Sequence, residues 1–383
     1  MTTFSPASTM KFKNGKLRIE EISDIHLGHP KTTTTEVLEG LYKAFPNTAD
    51  MDDLDILFIA GDVFDRLLKF PDENVIEIRL WINRLLRMCK ERDILIRVLE
   101  GTPSHDWKQS KHFEIENESS EIGADLKYFS VLAVEYIEKF DCHVLYIPDE
   151  WKHSTDEIWL DVKKTLAEHG LEKVDFTVMH GAFSYQLPPH VPAPTHDPQR
   201  YMDITRHLVF VGHVHKHSVH ERIIAAGSHN RLTHGEEEPK GHVRVDLFEN
   251  GDRRITFIEN KLAKLYKTVD CSGRSIEDAL DQLKFLDDLP KNSHVRLMAS
   301  KSDAIWNGLL TVKERFPHIV FTTKPTEETK NAQKSFTDIY TPYTPPAITN
   351  ANIMEMVLGK LEEKGLDVGL IKRGQELLSE HIS

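Results

Sequence analysis

Residues 55–65 read DILFIAGDVFD, and this stretch decides how the rest of the chain is interpreted. Its first part is a short, continuous apolar run, which is typical of a strand buried on both faces. Gly61 allows a sharp exit from that strand, so Asp62 is expected at the strand end. Asp62 would suit a bridging position between two cations, with Asp65 orienting a ligand or loop behind it. The alternative is a strand-to-helix turn with a capping aspartate.

Four further clusters of acids and histidines each follow a short apolar run. They are SDIHLGH with Asp24 and His26, GTPSHD with His105 and Asp106, VMHG with His180, and VGHVH with His213 and His215. Carboxylates and imidazoles that reach one point from several strand ends form a metal site. Residues two apart in an extended segment point the same way, so the D-x-H and H-x-H pairs could each grip one ion. Taken alone, each cluster is also compatible with a polar turn or a surface histidine.

Composition limits the class of protein. The chain has 383 residues, 39% of them hydrophobic and 28% charged, which predicts a soluble globular protein of two or three domains. No run approaches the ~18 apolar residues needed to span a membrane, and residues 1–12 are expected to be a loose tail rather than a signal peptide. Three scattered cysteines predict a reducing, cytoplasmic location, in a host cytoplasm if the gene is phage-encoded. The net charge of −13 leaves a metal-assisted nuclease open, because cations can carry the phosphate contacts.

The pattern along the chain predicts several units. Strands and helices alternate from about 16 to 215, including a helix over residues 128–140, and this indicates α/β layers with ligands at the strand ends. Residues 219–258 read as strands alone, which suggests a second, more antiparallel sheet beside the first. We therefore predict a main domain at 13–260, a small α/β domain at 261–325, a polar linker at 326–349 and a helical region at 350–383.

The five clusters, in this order, resemble the signature of the calcineurin-like metallophosphoesterase superfamily. That signature is D-x-H, G-D-x-x-D, G-N-H-D/E, a lone histidine and G-H-x-H, and the match covers about residues 17–215. The segment after it is similar to the nuclease subunit of double-strand-break repair complexes, of the SbcD and phage recombination endonuclease type. The matching residues are Gly227, Ser228, Arg231, Leu232, Gly235 and Glu236. The resemblance implies an α/β (α+β) fold, a four-layer sandwich of two mixed β-sheets flanked by helices.

The resemblance also implies a ligand set for two Mn²⁺ ions, with Mg, Fe or Zn as alternatives. One ion would be held by Asp24, His26 and His215, and the other by Ser104, His180 and His213, with Asp62 between them. His105 would protonate the leaving sugar oxygen, supported by Asp65 and by Asp106, which could hold the His105 imidazole in one tautomer. The chain departs from the family at GTPSHD, where Ser104 precedes His105 in place of asparagine. His217 is a spare ligand candidate, although a surface histidine explains it better.

The implied activity is that of a metal-dependent DNA exo/endonuclease in DNA end processing, recombination and repair. Its implied partners are DNA, an SMC-like coiled-coil ATPase bound by the C-terminal helices, and a second copy in a homodimer; no membrane partner is expected. Candidate DNA contacts in and near the small domain are Arg231, Lys261, Lys264, Lys267 and Arg274. Two alternatives stay open: a metallophosphoesterase for small phosphodiesters or phosphoproteins, and a non-catalytic scaffold of the same fold.

Overall fold

Two six-stranded sheets form the centre of the molecule. The computed structural model describes residues 10–69, 73–149, 154–188, 191, 193–300 and 302–326. The strands are β1 (Lys16–Ile22), β2 (Ile56–Ala60), β3 (Leu95–Leu99), β4 (Leu126–Phe129), β5 (Ala133–Ile137), β6 (Cys142–Ile147), β7 (Val174–His180), β8 (Thr205–Gly212), β9 (Ser218–His220), β10 (Ile223–Ala225), β11 (Gly241–Phe248), β12 (Arg253–Glu259), β13 (Tyr266–Asp270), β14 (His294–Ser300) and β15 (Val320–Thr326). The α-helices are α1 (Thr34–Ala44), α2 (Glu73–Arg92), α3 (Pro103–Asp106), α4 (His112–Ser119), α5 (Thr155–Glu168), α6 (Pro198–Ile204), α7 (Ile276–Gln282) and α8 (Leu309–Arg315).

Both large sheets are mixed. The first has the order β12-β11-β1-β2-β3-β4, with β1 to β4 parallel and β11 antiparallel to β1. The second has the order β5-β6-β7-β8-β10-β9, with β6, β7, β8 and β10 parallel and an antiparallel strand at each edge. Parallel strands end at the same edge of a sheet, so the loops after β1, β2 and β3, and those after β7 and β8, are grouped.

Alternating side chains of β2 show how the layers are built. Ile56 and Phe58 face the core between the two sheets, together with Tyr146 and Phe210. Leu57 and Ile59, on the opposite face, pack under α1 and α2. Helices α5 and α6 cover the outer face of the second sheet through a third apolar cluster. Because successive side chains of a strand face opposite ways, an all-apolar run such as ILFIA must be buried on both sides. The predicted α/β sandwich of two mixed sheets flanked by helices is confirmed.

Two parts of the predicted pattern are wrong. Residues 128–140 do not form a helix: Tyr128 and Phe129 end β4, and Ala133–Ile137 form β5. The apolar spacing of this segment suits both periods, and its Val, Ile, Tyr and Phe residues favour strands. Phe129 stacks on Tyr146 with ring centroids 3.7 Å apart, a contact that the sequence alone does not reveal. The strands of residues 219–258 do not make a separate sheet either, since β9 and β10 extend the second sheet while β11 and β12 extend the first.

A third sheet follows, with strands β13, β14 and β15 all parallel and in chain order. Helices α7 and α8 complete its apolar core, which includes Leu283, Leu297 and Phe316. The predicted helical region at 350–383 and the linker beyond Thr326 lie outside the described residues. Within the part of the chain that is described, no helix has both the length and the apolar character needed to cross a bilayer.

One glutamate joins the start of this third unit to α1. The carboxylate of Glu36 accepts hydrogen bonds from Lys264 Nζ at 2.9 Å and from Asn292 Nδ2 at 2.9 Å. Lys264 Nζ also donates to the Lys31 carbonyl at 2.7 Å. Lys264 is only 4% exposed, so burying its ammonium group would be costly without these hydrogen-bond partners.

Candidate metal centre

The five clusters meet at one edge of the two sheets. Asp24 follows β1, Asp62 follows β2, and the residues after β7 and β8 face them from the second sheet. His180 Nδ1 lies 2.8 Å from the carbonyl oxygen of Ala60, and the amide of His213 donates to Asp24 Oδ1 at 3.0 Å. The Ser23–Ser228 bridge adds a parallel backbone contact at this edge. The site is therefore assembled from both sheets.

Asp24, His26 and His215 form the first group. His26 Nε2 and His215 Nε2 are 3.1 Å apart, and His215 Nε2 lies 4.0 Å from Asp24 Oδ1. One ligand atom from each of the three lies within 4.8 Å of the others. Asp24 and His26 are buried and His215 is partly exposed, so the group opens to solvent on one side. These three groups could hold a metal ion.

Asp62 belongs to a second group with His180 and His213. His180 Nε2 lies 3.3 Å from Asp62 Oδ1, and the ligand atoms of the three residues lie within 4.8 Å of one another. The other oxygen of Asp62 lies 3.8 Å from His26 Nε2 and 2.9 Å from His105 Nδ1. Asp62 thus lies between the two groups, at the place predicted for a bridging carboxylate.

The Nδ1 atoms of three imidazoles lie near acceptor oxygens. His180 Nδ1 contacts the Ala60 carbonyl, which can only accept, so this nitrogen carries the hydrogen. His215 Nδ1 lies 3.3 Å from Glu236 Oε1, and His26 Nδ1 lies 3.2 Å from Asp65 Oδ1. In each ring Nε2 is the atom that faces the cluster, and it can bind a metal ion once it carries no proton.

Glu236 is the supporting residue whose role the sequence did not show. Lys240 Nζ lies 3.0 Å from Glu236 Oε2 and donates to the His215 carbonyl at 2.8 Å. Burial alone would raise the pKa of Glu236, but His215 and Lys240 outweigh it and lower the pKa to about 2. Glu236 is therefore ionised at neutral pH and can orient the His215 ring. The G-E pair in the sequence was the available signal.

Ser104, predicted as a ligand, lies outside the cluster. Ser104 is exposed on the short helix α3, and no hydrogen bond from its hydroxyl to the cluster is seen in the described structure. Thr102 is there instead: its Oγ1 lies 3.3 Å from Asp62 Oδ2, 3.4 Å from His180 Nε2 and 3.5 Å from His213 Nδ1. Pro103 begins α3 and Ser104 is its second residue, whereas Thr102 directly precedes this helix and follows Gly101.

His105 is close to the cluster but is not oriented by Asp106, contrary to expectation. His105 Nδ1 contacts Asp62 Oδ2, and hydrogen bonding to that carboxylate raises the pKa of His105. Asp106 is fully buried and accepts hydrogen bonds from the amides of Asp62 at 3.1 Å, Phe64 at 2.9 Å and Gly101 at 2.7 Å. Asp106 therefore joins the loops after β2 and β3.

The backbone of the site is strained. Asp24, His26, Asp62 and His213 have φ values of 50°, 55°, 50° and 103°, in the left-handed region that side chains rarely adopt. Such conformations cost about 1–3 kcal/mol each and persist where the surrounding structure imposes them, often at functional sites. Gly101 is required for a related reason, since a Cβ atom there would collide with Asp62.

The carboxylates and imidazoles of the cluster together favour a positive charge at its centre. Burial opposes protonation of His180, yet the Asp62 carboxylate outweighs it and raises the pKa of His180 to about 10. Burial and the neighbouring His180 lower the pKa of His213 to about 4. Burial would raise the pKa of Asp62, but His180 and His105 hold it well below its usual range. Buried carboxylates and imidazoles of this kind suit a cation in place of protons.

The predicted DNA contacts differ in exposure. Arg231 is 5% exposed, and its guanidinium donates to the carbonyls of Ala263 at 2.9 Å and Glu237 at 3.4 Å. Lys264 is equally buried and holds Glu36. These two residues are structural ties rather than surface contacts. Lys267 pairs with Glu237 at 3.5 Å, while Lys261 and Arg274 are exposed.

His217, the spare ligand candidate, is bound elsewhere. Its Nδ1 contacts the Ala225 carbonyl at 2.7 Å, and its ring stacks on Phe257 with centroids 4.5 Å apart. His217 is therefore a packing residue of the second sheet.

Comparisons with known proteins found matches among solved structures only. No family model matches the chain, and no curated protein matches it. Among solved structures, TT1561 of Thermus thermophilus is 14% identical, covers 63% of this chain and 98% of its own, and has a TM-score of 0.36. Another crystal structure, also 14% identical, covers 63% of this chain and 100% of its own, with a TM-score of 0.39. The chain has a two-sheet α/β fold, and its His/Asp groups could hold a metal ion.

Proposed function

We propose that the chain is a metal-dependent DNA exo/endonuclease that hydrolyses phosphodiester bonds at a centre of two cations, preferably Mn²⁺. One cation would be held by Asp24, His26 and His215, and the other by Thr102, His180 and His213. Asp62 would be shared between them. Mixed nitrogen and oxygen ligands suit manganese, iron or zinc better than magnesium.

The 3.1 Å separation of His26 Nε2 and His215 Nε2 carries this proposal. The Nδ1 atoms of both rings lie near carboxylates, at 3.2 Å from Asp65 and 3.3 Å from Glu236, so both Nε2 atoms are directed at each other. Two imidazole Nε2 atoms at this distance need a positive charge between them, supplied by a proton or by a cation. A cation with Asp24 as a further ligand can take the place of that proton and bind both Nε2 atoms.

His105 is the residue proposed to move a proton. Its Nδ1 is occupied by Asp62, its side chain is 38% exposed, and its Nε2 is therefore left for the substrate. Two cations at this centre would polarise the phosphoryl oxygens and lower the pKa of water beside them. Water would lose one proton to solvent as its oxygen adds to phosphorus, the bond from phosphorus to the sugar oxygen would break, and His105 Nε2 would give its proton to that oxygen. Asp62 keeps the ring oriented throughout.

DNA is proposed as substrate on the basis of the ordered motifs and of the residues after β8. The SbcD-type resemblance at residues 223–259 favours a nuclease subunit that works with an SMC-like coiled-coil ATPase, as a homodimer, in DNA end processing. Glu236, one of the residues that carry this resemblance, supports His215 directly. That contact links the SbcD-type segment to the chemistry of the cluster.

Digestion of end-labelled DNA by the purified full chain tests the proposal. Strand cleavage is expected with Mn²⁺, no cleavage with a chelator, and loss of both bound Mn²⁺ and cleavage in Asp62→Asn. Asp53→Asn, which changes an exposed carboxylate that pairs with Lys16 at 3.1 Å and not with a residue of the cluster, should cleave like the unmodified protein. Hydrolysis of a small phosphodiester without cleavage of DNA would favour the small-substrate phosphoesterase. A protein that binds no Mn²⁺ would favour the scaffold.

A further inference from the structure

Trp107 lies two residues after His105 in the chain, and it is more exposed than the other tryptophans in the described ranges. Of the tryptophans in the described ranges, Trp81 is buried, Trp159 and Trp306 are half-buried, and Trp107 is 55% exposed. A single exposed apolar side chain is ordinary. What distinguishes Trp107 is the way in which the surrounding structure holds it.

The backbone at Trp107 is strained and fixed. Trp107 and Lys108 have φ values of 49° and 58°, so two consecutive non-glycine residues are left-handed. For a bulky residue this conformation is an outlier that needs compensation elsewhere. Glu100, which is buried, supplies part of it by accepting the Lys108 amide at 2.5 Å. The indole Nε1 donates to the Ser104 carbonyl at 2.7 Å, which fixes the ring and leaves its faces free of that hydrogen bond.

The indole lines an open cavity of about 530 Å³. Its apolar walls are Pro103 and Val131, the latter 62% exposed, and Lys108 adds a positive charge. Glu100 also lines the cavity, but its two oxygens are engaged by the Lys108 amide and by the Tyr128 hydroxyl. The remaining lining residues are Ser130 and Asp149. Pro103 directly follows Thr102 in the chain, so a residue that lines the cavity is bonded to a residue of the cluster.

We propose that Trp107 is a stacking platform for an unpaired nucleobase of the strand being cut, next to the scissile phosphate. This inference rests on the proposed nuclease function. A planar base gains from stacking on a fixed indole whatever its sequence, and Lys108 can contact the adjacent phosphate. A base inside a duplex has both faces covered by its neighbours, so the platform selects single-stranded or frayed ends.

Steady-state cleavage in Mn²⁺ separates this role from a structural one. For single-stranded DNA, Trp107→Ala should raise KM about tenfold, within the range measured for base–aromatic contacts. Trp107→Phe, which keeps a ring, should stay within about threefold of the unmodified protein. The matched control is Tyr136→Ala, which removes an aromatic residue that is 50% exposed on β5, beside His143 near the start of β6. A duplex closed by G·C pairs should respond less to Trp107→Ala than single-stranded DNA.

A second readout does not depend on turnover. A strand with 2-aminopurine near its end, mixed with protein in chelator, should be quenched by the unmodified protein and by Trp107→Phe but not by Trp107→Ala. Bound Mn²⁺ and circular dichroism of Trp107→Ala should match the unmodified protein, which excludes misfolding. If Trp107→Ala keeps both the KM and the quenching, the stacking role is rejected and the nuclease proposal stands. If the unmodified protein neither binds nor cuts DNA, both are rejected.

Discussion

Asp106 Oδ2 lies 3.1 Å from the amide nitrogen of Asp62 and accepts its hydrogen bond, although the two residues belong to loops after different strands. The same carboxylate accepts the amides of Phe64 and Gly101. One side chain thus holds the backbone of the central ligand of the candidate metal centre.

We therefore expect Asp106→Ala to destabilise the protein. Three buried amides would lose their acceptor, at about 1–3 kcal/mol for each group left unsatisfied. The free energy of unfolding in denaturant should fall by several kcal/mol, and Mn²⁺ binding should weaken. Asp53→Ala is the control, because its carboxylate forms exposed ion pairs that contribute about 1 kcal/mol or less. An Asp106→Ala protein as stable as Asp53→Ala would contradict this role.

Thr102→Ala should weaken binding of one of two Mn²⁺ ions. The expected loss of affinity is about 10–100-fold, the size of effect seen when a group that orients a metal ligand is removed. Thr102→Ser keeps the hydroxyl and should bind both ions. Ser104→Ala should leave Mn²⁺ binding unchanged, since Ser104 is exposed and no hydrogen bond from its hydroxyl to the cluster is seen among the described residues. Titration calorimetry and the electron paramagnetic resonance signal of coupled Mn²⁺ pairs measure this. If Ser104→Ala loses an ion and Thr102→Ala does not, the sequence-based choice of ligand was right.

Glu236→Ala removes the acceptor of His215 Nδ1, which frees the ring to rotate and to change tautomer. Mn²⁺ affinity should fall about 10–100-fold, the usual cost of losing such a partner. The neighbouring Glu237→Ala deletes an exposed carboxylate and should bind Mn²⁺ normally. Equal affinities in the two variants would show that Glu236 does not orient the ligand.

His242 gives the protein a pH-dependent stability away from the metal ligands. Its ring is 2% exposed, and burial, together with His229 and Arg244, lowers its pKa to about 3. A folded-state pKa below the unfolded value of about 6.5 means that the unfolded state binds the proton first. The contribution is therefore present above about pH 6.5 and is lost as the pH falls toward 3.

His242→Leu should flatten the fall in thermal midpoint between neutral and acid pH, whereas the exposed His169→Leu should not. Thermal unfolding followed by circular dichroism at several pH values makes the comparison. Parallel curves for the unmodified protein and His242→Leu would rule out His242 as the source of acid sensitivity.

Glu36→Ala should loosen the attachment of residues 261–326 to α1, because Lys264 Nζ and Asn292 Nδ2 lose their shared acceptor. Lys264 is buried, and an unpaired buried charge costs several kcal/mol. Faster amide hydrogen exchange is expected across β13 and β14, with little change in β1 to β3. Glu39→Ala, on the same helix but exposed, is the control. Unchanged exchange in Glu36→Ala would remove Glu36 as the main tie.

The sequence predicts the strands that carry the site because both faces of these strands are buried. Their sequences are therefore continuous apolar runs, as in residues 56–60. It fails at Tyr128–Phe129, where only a partner from another strand, Tyr146, decides between helix and strand. The candidate ligands come from motif order, whereas Thr102 and Ser104 are separated only by the path of the turn at Pro103. Arg231 and Lys264 resemble surface charges in sequence, since charged residues are rarely buried unless paired, and their partners are distant in the chain.

Because the centre draws on both sheets, it is complete only when the two sheets are packed together. His26 and His215 are 189 positions apart, and their 3.1 Å contact closes a loop that holds most of the main domain. A cation bound there would link the two sheets, and it would stabilise only the state in which both sheets are packed together. Binding of a cation by the newly made chain would then show that the two sheets have packed together. Removal of the cation by a chelator would weaken the packing between the sheets before it affects either sheet alone.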